Sequence, residues 1–297
     1  MVGKHIIGVD IGGTSFRIGA VSKDREVSGF RKVPVGQVFR SRDSLNDLAA
    51  YLEDYSRGMS PEAVSIGFPA TLDRERKTVL QAPNVPFMEN LPVAALRERM
   101  GVPVFLERDV TMALQYDMKK YSIPPQGLVI GIYYGTGVGN ALSVNGEPLR
   151  GKHGTAGELG HIPVDGSAEQ CGCGNVGCME NLAGGKYLAR LCREIYTDTA
   201  IGELFVRHGS EPPLAQFIDR MAMAAATEMN ILDPDWLLIG GGVPQMCGFP
   251  RELLIERIYA RARKPYPAND LPVVFTEDEE DKCVVGAAQY ARTQMEK

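Results

Sequence analysis

The sequence lacks a hydrophobic run long enough to cross a membrane. Its apolar stretches at Ile6–Val9 and Leu128–Tyr134 fall far short of the ~20 residues that a membrane-spanning helix needs. The first stretch stops at Asp10 and lacks the pattern of a signal peptide. The sequence therefore predicts a protein that neither enters nor spans a membrane.

Basic clusters and cysteines are also scarce. There are 32 Lys and Arg against 37 Asp and Glu, so the formal net charge is −5, and no dense basic run occurs. This balance argues against a nucleic-acid or anionic-membrane partner. Six cysteines in 297 residues favour a reducing, cytoplasmic location over a disulfide framework. Cys192, Cys247 and Cys283 have apolar, helix-like surroundings and are expected to be small buried hydrophobes.

The other three cysteines lie together in the stretch from Gly157 to Glu180. With one histidine, thiols at C-x-C-x4-C spacing form a complete tetrahedral ligand set for structural zinc, which leaves no position for a catalytic water. Three glycines, Gly172, Gly174 and Gly177, suit the tight turns around an ion. The alternative is three buried cysteines in a glycine-rich loop. The zinc ligands would be His161, Cys171, Cys173 and Cys178.

Two carboxylates, Glu158 and Glu180, stand at the edges of this stretch. A closed zinc site cannot itself activate water, so we expect the ion to hold its neighbours in place. The carboxylates and the second ring nitrogen of His161 are good hydrogen-bonding partners for a polyol. The stretch therefore predicts a sugar site supported by zinc.

Two Gly- and Thr-rich turns each join a pair of predicted strands. The first follows His5–Asp10 and leads into Ser15–Val21, and the second joins Leu128–Tyr134 to Asn140–Val144. Exposed backbone N–H groups in such turns suit phosphate oxygens, and Asp10 could bind Mg2+. For the first turn, the alternative is a plain β-turn without a ligand, and the recurrence of two such turns could be chance. If the recurrence is not chance, the two turns indicate duplicated domains.

An acid–base–acid cluster follows the predicted strand Val102–Leu106. In an open α/β sheet, ligands bind outside the carboxyl ends of the strands, which favours chemistry at Glu107, Arg108 and Asp109. The alternative for Asp109 is a capping role at the start of the helix Val110–Lys120.

Two more loops carry candidate residues. The strand Trp236–Ile239 ends in Gly240–Gly242, whose open backbone suits the close approach of a flat ligand such as adenine or ribose. Asn84 lies in a proline-rich loop and, on its own, would be interpreted as a turn-former.

Hydrophobic periodicity predicts the remaining elements. The predicted helices are Ser44–Arg57, Leu91–Met100, Lys186–Tyr196, Pro213–Asn230, Arg251–Ala262 and Cys283–Thr293, and the predicted strands are Ala63–Phe68 and Pro272–Thr276.

These motifs resemble, in order and spacing, those of the bacterial sugar kinases of the ROK family. The matching motifs are DIGGT at Asp10, GTGVG at Gly135, GELGH at Gly157, CGCGNVGC at Cys171 and GGG at Gly240. The resemblance covers essentially the whole chain. It implies an α/β, actin-like (ribonuclease H-like) ATPase fold of two domains. It also implies ATP, Mg2+, structural zinc, a small-molecule sugar substrate and a homo-oligomer, either a dimer or a tetramer.

The resemblance also implies domain bounds and residue roles. The N-terminal domain would span 1–111 and be joined by the C-terminal helix 283–297, and the second domain would span 112–282. Asp109 would be the catalytic base. Sugar-binding positions would be Asn84, Arg108, Glu158, His161 and Glu180. Nucleotide contacts would come from Asp10, Gly12, Gly13, Thr14, Ser15, Arg17, Gly135, Thr136, Gly137, Gly139, Gly240, Gly241 and Gly242.

Within the family, the motifs GFPA at Gly67, RDV at Arg108 and GELGHIP at Gly157 most resemble the D-allose kinases. Many family hexokinases have asparagine where this chain has Arg108, and glycine where it has Ala70. An arginine only donates hydrogen bonds and reaches further than an asparagine. We therefore expect phosphorylation of the 6-hydroxyl of D-allose. Alternatively, Arg108 pairs only with Glu107 or another acid.

Other functions within the family stay open. The chain could phosphorylate glucose, N-acetylmannosamine or N-acetylglucosamine, or it could be a non-catalytic sugar sensor. Transcriptional repressors of the family carry a winged helix-turn-helix ahead of the first strand. Only nine residues precede Asp10 here, so a DNA-binding role is not expected.

Overall fold

The computed structural model describes residues 5–82, 85 and 88–297. These residues form two compact units. Unit 1 comprises the described part of Met1–Ser122 together with Arg150–Ala156 and Glu279–Lys297. Unit 2 comprises Ile123–Leu149 and Gly157–Asp278. The sequence predicts these boundaries after residue 111 and before residue 283.

Strands and helices alternate along much of the chain. The strands are β1 (Ile6–Ile11), β2 (Ser15–Val21), β3 (Val27–Pro34), β4 (Ala63–Phe68), β5 (Thr71–Leu72), β6 (Val79–Gln81), β7 (Val104–Arg108), β8 (Leu128–Tyr134), β9 (Val138–Val144), β10 (Glu147–Pro148), β11 (Trp236–Gly240) and β12 (Val273–Phe275). The α-helices are α1 (Val35–Val38), α2 (Ser44–Tyr55), α3 (Val93–Met100), α4 (Asp109–Lys120), α5 (Glu180–Ala183), α6 (Gly185–Glu194), α7 (Leu204–His208), α8 (Pro212–Leu232), α9 (Arg251–Arg261) and α10 (Lys282–Met295).

Unit 1 contains a five-stranded sheet in the order β3-β2-β1-β4-β7, with β5 and β6 as a separate hairpin. Strands β1, β4 and β7 are parallel, whereas β2 is antiparallel to β1. Every residue of β1 is buried, which fits its apolar sequence IIGVDI. Gly8 in this strand makes room for α10, since a Cβ there would lie 2.1 Å from the carbonyl oxygen of Val284. The carboxyl ends of β1, β4 and β7 therefore meet at one edge of the sheet.

The helix α4 belongs to unit 1 because it packs closely against α10. A Cβ at Gly286 of α10 would lie 2.1 Å from the carbonyl oxygen of Met112 in α4. Only a glycine allows two helices to approach so closely. This packing explains why unit 1 continues to Ser122 rather than ending at residue 111.

Unit 2 contains the second five-stranded sheet, in the order β10-β9-β8-β11-β12. Strand β8 is antiparallel to β9 and parallel to β11, which is itself parallel to β12. The long helix α8 supplies fully buried side chains to the core of this unit, including Leu214, Phe217 and Met221. In each sheet, three parallel strands are thus extended at one side by antiparallel strands.

The structure bears on two predictions, the absence of a membrane-spanning segment and the burial of three cysteines. Within the described residues, no helix is both long enough and apolar enough to span a bilayer. The expectation that Cys247 is buried is wrong, because it lies in an exposed turn after the 3-10 helix Val243–Gln245. Cys192 and Cys283 are partly buried.

Candidate active site

Asp109 is the first residue of α4 and follows directly on the end of β7. Its Oδ1 accepts a hydrogen bond of 2.8 Å from the Val110 N–H. Asp109 is not the N-cap residue of this helix: that residue is Arg108, whose side chain makes no capping hydrogen bond. Asp109 instead stands within the first turn, where the helix dipole favours a carboxylate.

The surroundings of Asp109 suit a proton acceptor. Protein atoms limit the hydration of its carboxyl group, which raises its pKa above the usual value, while the Val110 N–H and the charge of Arg108 act in the opposite direction. Gly67 of β4 lies next to this backbone, since a Cβ there would be in van der Waals contact with the Cα of Asp109, at 3.5 Å. A carboxylate with raised proton affinity is a better general base at neutral pH.

Arg108 is tied to the backbone of unit 1. Its Nη1 donates a 2.9 Å hydrogen bond to the carbonyl oxygen of Ala156, and its N–H donates to Glu107 Oε1 at 3.0 Å. The fully buried Glu107 carboxylate lies against two other guanidinium groups, those of Arg76 at 2.8 Å and Arg150 at 3.3 Å. Nothing in the sequence pattern indicated these two arginines, because they are distant from Glu107 in the chain.

The turn after β1 lies at the same edge of the sheet as Asp109, with β4 between the two strands that they follow. It is closed by a 2.8 Å hydrogen bond from Gly12 N to Ser15 O, and Gly13 and Thr14 in its tip are exposed. Asp10 is buried, and its Oδ2 lies 2.8 Å from Arg17 Nη1. Unit 1 therefore gathers two carboxylates, Asp10 and Asp109, beside an exposed turn of backbone.

In unit 2, the four expected zinc ligands come together. One ligand atom from each residue lies within 4.8 Å of the other three. His161 Nδ1 is 3.6 Å from Cys171 Sγ, and Cys173 Sγ is 3.7 Å from Cys178 Sγ. A tetrahedral zinc with ordinary bond lengths separates nitrogen from sulfur by about 3.6 Å and two sulfurs by about 3.8 Å. The donor set and its spacing both fit a closed zinc site.

The backbone around this cluster is shaped by two of the three expected glycines. Gly174 and Gly177 have φ of 98° and 76°, and Gly172 does not have a positive φ. A side chain at Gly177 would also meet the carbonyl oxygen of Ser167 at 2.7 Å. The tight turns at these two positions bring Cys173 and Cys178 together.

Three candidate sugar-binding residues surround the cluster within unit 2. With His161 Nδ1 directed at the thiols, its Nε2 lies 3.6 Å from Glu158 Oε2. Glu180 begins α5, and its Oε1 lies 3.1 Å from Cys171 Sγ. An ion at the cluster would therefore fix His161 directly and the two carboxylates through their neighbours.

The turn after β8 is joined to the same part of unit 2. The carbonyl oxygens of Gly135 and Thr136 accept hydrogen bonds from Gly185 N at 2.8 Å and Lys186 N at 3.0 Å. These donors belong to the first turn of α6, which the turn thereby caps. At Gly137, a Cβ would lie 2.3 Å from Glu180 Oε2. A side chain here would therefore have to displace the end of the Glu180 side chain.

The open backbone expected at Gly240–Gly242 is found in only part of this segment. A Cβ at Gly240 would lie 2.4 Å from Thr276 Oγ1, and one at Gly241 would lie 2.5 Å from the carbonyl oxygen of Tyr134. The expectation is wrong for Gly240, which is buried, whereas Gly241 stays partly exposed. A Cβ at Gly242 would only approach Asp278 Oδ2, at 3.9 Å. Asn84 lies outside the described residues.

Comparison with known proteins shows the family to which this chain belongs. The model of the ROK family matches residues 6–294. The chain belongs to the ROK family. As in its structural neighbours of this family, the fold is the actin-like ATPase fold with mixed α/β sheets, which confirms the fold class expected from the sequence.

The relatives of this ROK protein include named sugar kinases. It is 28% identical to a glucokinase of Thermotoga maritima, over 98% of both chains. It is 31% identical to an N-acetyl-D-glucosamine kinase of Salmonella paratyphi C, over 83% of this chain and 86% of that one. A ROK glucokinase from Streptomyces griseus, solved with glucose and AMPPNP, is 26% identical with a TM-score of 0.78. It covers 97% of this chain and 99% of its own.

Proposed function

We propose that this protein is an ATP-dependent hexose kinase that transfers the γ-phosphoryl group of ATP to the 6-hydroxyl of its sugar. The observation that carries the proposal is Asp109, a carboxylate with raised pKa at the carboxyl edge of the unit 1 sheet. Membership of the ROK family and the kinase names of the relatives support the same reaction.

In the proposed reaction, Asp109 accepts the proton of the 6-hydroxyl as the oxygen attacks the γ-phosphorus. The bond from that phosphorus to its bridging oxygen breaks, and ADP leaves. Asp10 is the candidate ligand for Mg2+, which when bound neutralises phosphate charge. Its present partner Arg17 would then be free to approach the phosphates.

Nucleotide binding is assigned to three turns. The exposed tip at Gly13 and Thr14 offers backbone N–H groups and a hydroxyl to phosphate oxygens. The segment Gly135–Gly139 is the second candidate turn. The third, Gly240–Gly242, offers an exposed backbone at Gly242 and a partly exposed one at Gly241.

Sugar binding is assigned to the residues beside the zinc cluster. Glu158 and Glu180 accept hydrogen bonds from hydroxyl groups, and His161 contributes its Nε2. Zinc at the four-ligand cluster would hold these groups in position. Asn84 and Arg108 complete the proposed set on the basis of the family pattern.

Within this reaction, D-allose is our proposed substrate because of Arg108. Allose and glucose differ only in the configuration at C3, and a guanidinium that can only donate suits a different hydroxyl orientation from an amide. One donor of Arg108 is held by the Ala156 carbonyl oxygen, which would fix the direction of the others. Glucose and N-acetylglucosamine, for which the relatives are named, are the alternative substrates to compare with D-allose.

A comparison of hexoses tests this proposal. We expect kcat/KM for D-allose to exceed that for D-glucose about ten-fold or more, which one well-placed hydrogen bond would provide. Arg108→Asn should reduce the preference while leaving ATP binding intact. A wild-type protein that prefers glucose, N-acetylmannosamine or N-acetylglucosamine would contradict allose as substrate. No hexose-dependent ATP consumption at all would favour the sugar-sensor alternative.

A further inference from the structure

A buried charged group lies directly beside Arg108 and takes no part in the proposed chemistry. Glu107 is fully buried at the end of β7. Oε1 lies 2.8 Å from Arg76 Nε, and Oε2 lies 3.3 Å from Arg150 Nη2. A buried carboxylate is tolerated only when it is paired and hydrogen-bonded, so these contacts hold the side chain in one orientation.

Arg76 connects Glu107 to the hairpin of β5 and β6. It lies in the turn of that hairpin with φ of 59°, and only 8% of its surface is exposed. Its Nη1 donates to the carbonyl oxygen of Asp73 at 3.0 Å and to that of Gly154 at 3.2 Å. A strained backbone position of this kind persists only where the surrounding contacts maintain it.

Arg150 connects Glu107 to the segment Arg150–Ala156, which is part of unit 1. Its Nη2 also donates to the Tyr290 hydroxyl of α10 at 2.6 Å. The segment is closed by a 3.0 Å hydrogen bond from Ala156 N to Arg150 O. Gly154, with φ of 79°, leaves no room for a side chain, since a Cβ would lie 2.6 Å from Arg76 Nη1.

The two connections end at the same point. The carbonyl oxygen of Ala156, at the end of the closed segment, accepts the hydrogen bond from Arg108 Nη1 at 2.9 Å. Glu107 also accepts the N–H of Arg108 at 3.0 Å. The backbone of Arg108 and the acceptor of its guanidinium are therefore both positioned by one buried carboxylate.

We propose that Glu107, acting through Arg76 and Arg150, is a positioning residue that sets the direction of the Arg108 guanidinium and so the choice between hexoses. The inference rests on the proposed function, in which Arg108 contacts the sugar. It assigns specificity to a network of three chain segments rather than to the contacting side chain alone.

Arg150→Met is the most informative variant. The side chain of Arg150 is 28% exposed, and without it Glu107 keeps its pairing with Arg76, so the fold should be retained. We expect KM for the preferred hexose to rise about ten-fold, with kcat and the KM for ATP changed by no more than about two-fold. Arg150→Lys should recover part of the loss. A purely structural role would not separate the KM for sugar from kcat in this way.

Arg292→Met is the matched control. Arg292 lies on α10 of the same unit, and its guanidinium donates to the backbone carbonyl oxygens of Val21 and Ser22 rather than to the network. Arg292→Met removes one positive charge, as Arg150→Met does, and should leave kcat and KM for D-allose and for D-glucose unchanged.

A double variant tests whether Arg150 acts through Arg108. In an Arg108→Met background, Arg150→Met should change the KM for sugar by less than about two-fold, because the group to be positioned is absent. An equal change in both backgrounds would overturn the inference, as would an unchanged sugar KM in Arg150→Met. If the wild-type protein phosphorylates no hexose, the proposed function fails and this inference fails with it. If the wild type phosphorylates a hexose but Arg150→Met changes the sugar KM equally in both backgrounds, this inference alone is overturned.

Discussion

The carboxylate of Glu180 occupies the position where a side chain at Gly137 would begin, 2.3 Å from an added Cβ. The turn proposed for phosphate binding and an acid proposed for sugar binding are therefore in direct contact within unit 2. A residue larger than glycine in this turn would displace the Glu180 carboxylate, so changes in the turn should affect the sugar as well as the nucleotide.

Replacing Gly137 with Ala should displace Glu180 and weaken sugar binding. We expect the KM for the preferred hexose to rise about ten-fold or more, the cost of losing roughly one good hydrogen bond. Steady-state kinetics with varied sugar at saturating ATP would measure it. Gly202→Ala is the control, since an added Cβ there would meet no described atom within 4 Å. An unchanged sugar KM in Gly137→Ala would show that Glu180 does not bind sugar.

Asp109→Asn should make the protein more stable at neutral pH. The raised pKa of Asp109 means that the folded state binds this proton more tightly than the unfolded state does. Wild-type stability therefore falls as pH rises from the unfolded value of about 3.8 through the raised folded pKa, and the variant escapes this loss. Thermal unfolding of both proteins between pH 4 and pH 8 would show the difference growing with pH. A variant less stable at pH 7 would contradict the raised pKa.

Cys173→Ser should remove the metal and weaken sugar binding together, because the ion holds His161 and, through its neighbours, Glu158 and Glu180. Elemental analysis of protein purified without chelator should find one zinc per wild-type chain and less in the variant. The exposed Cys247 supplies the control, since Cys247→Ser should change neither quantity. Loss of zinc with unchanged sugar affinity would contradict the supporting role of the metal.

Glu228→Gln should remove a pH dependence of stability. Burial raises the pKa of Glu228 to about 8, with the hydrogen bond from Asn140 at 2.9 Å opposing the shift. The wild type should lose about 1.4 kcal/mol per pH unit between the unfolded pKa and the folded value, in the direction of rising pH. Glutamine keeps an acceptor for Asn140 without the ionisation. Denaturant unfolding at pH 4 and pH 8 should show similar stability at the lower pH and a more stable variant at the higher one. Parallel pH profiles for both proteins would show that Glu228 is not the group responsible.

Much of the fold follows from local sequence. The strands β2, β4 and β8 have the bounds that their apolar runs predict. The strand β3 was not predicted because its apolar residues are interrupted by Ser28, Gly29, Arg31 and Lys32 and none of them is buried, so it lacks the continuous apolar run of a buried strand. β7 begins at Val104 and continues to Arg108, because α4 starts immediately afterwards.

Part of the candidate site can also be predicted from local sequence. The Cys and His spacing indicated the metal ligands, since that geometry depends on a short piece of chain. The pairing of Glu107 with Arg76 and Arg150 could not be predicted, because the partners come from distant segments brought together by the fold. The same limit explains Gly240, whose space is filled by Thr276.

The role proposed for Asp109 is to accept the proton of the sugar hydroxyl during ATP-dependent phosphorylation of a hexose. It is tested most directly by following the phosphorus NMR spectrum of ATP and D-allose with the wild-type protein and with Asp109→Asn. We expect the wild type to form ADP and hexose 6-phosphate in equal amounts, and the variant to do so at least ~100-fold more slowly with ATP binding retained. Phosphate released without hexose phosphate, or a variant that keeps more than about a tenth of the wild-type rate, would contradict the claim.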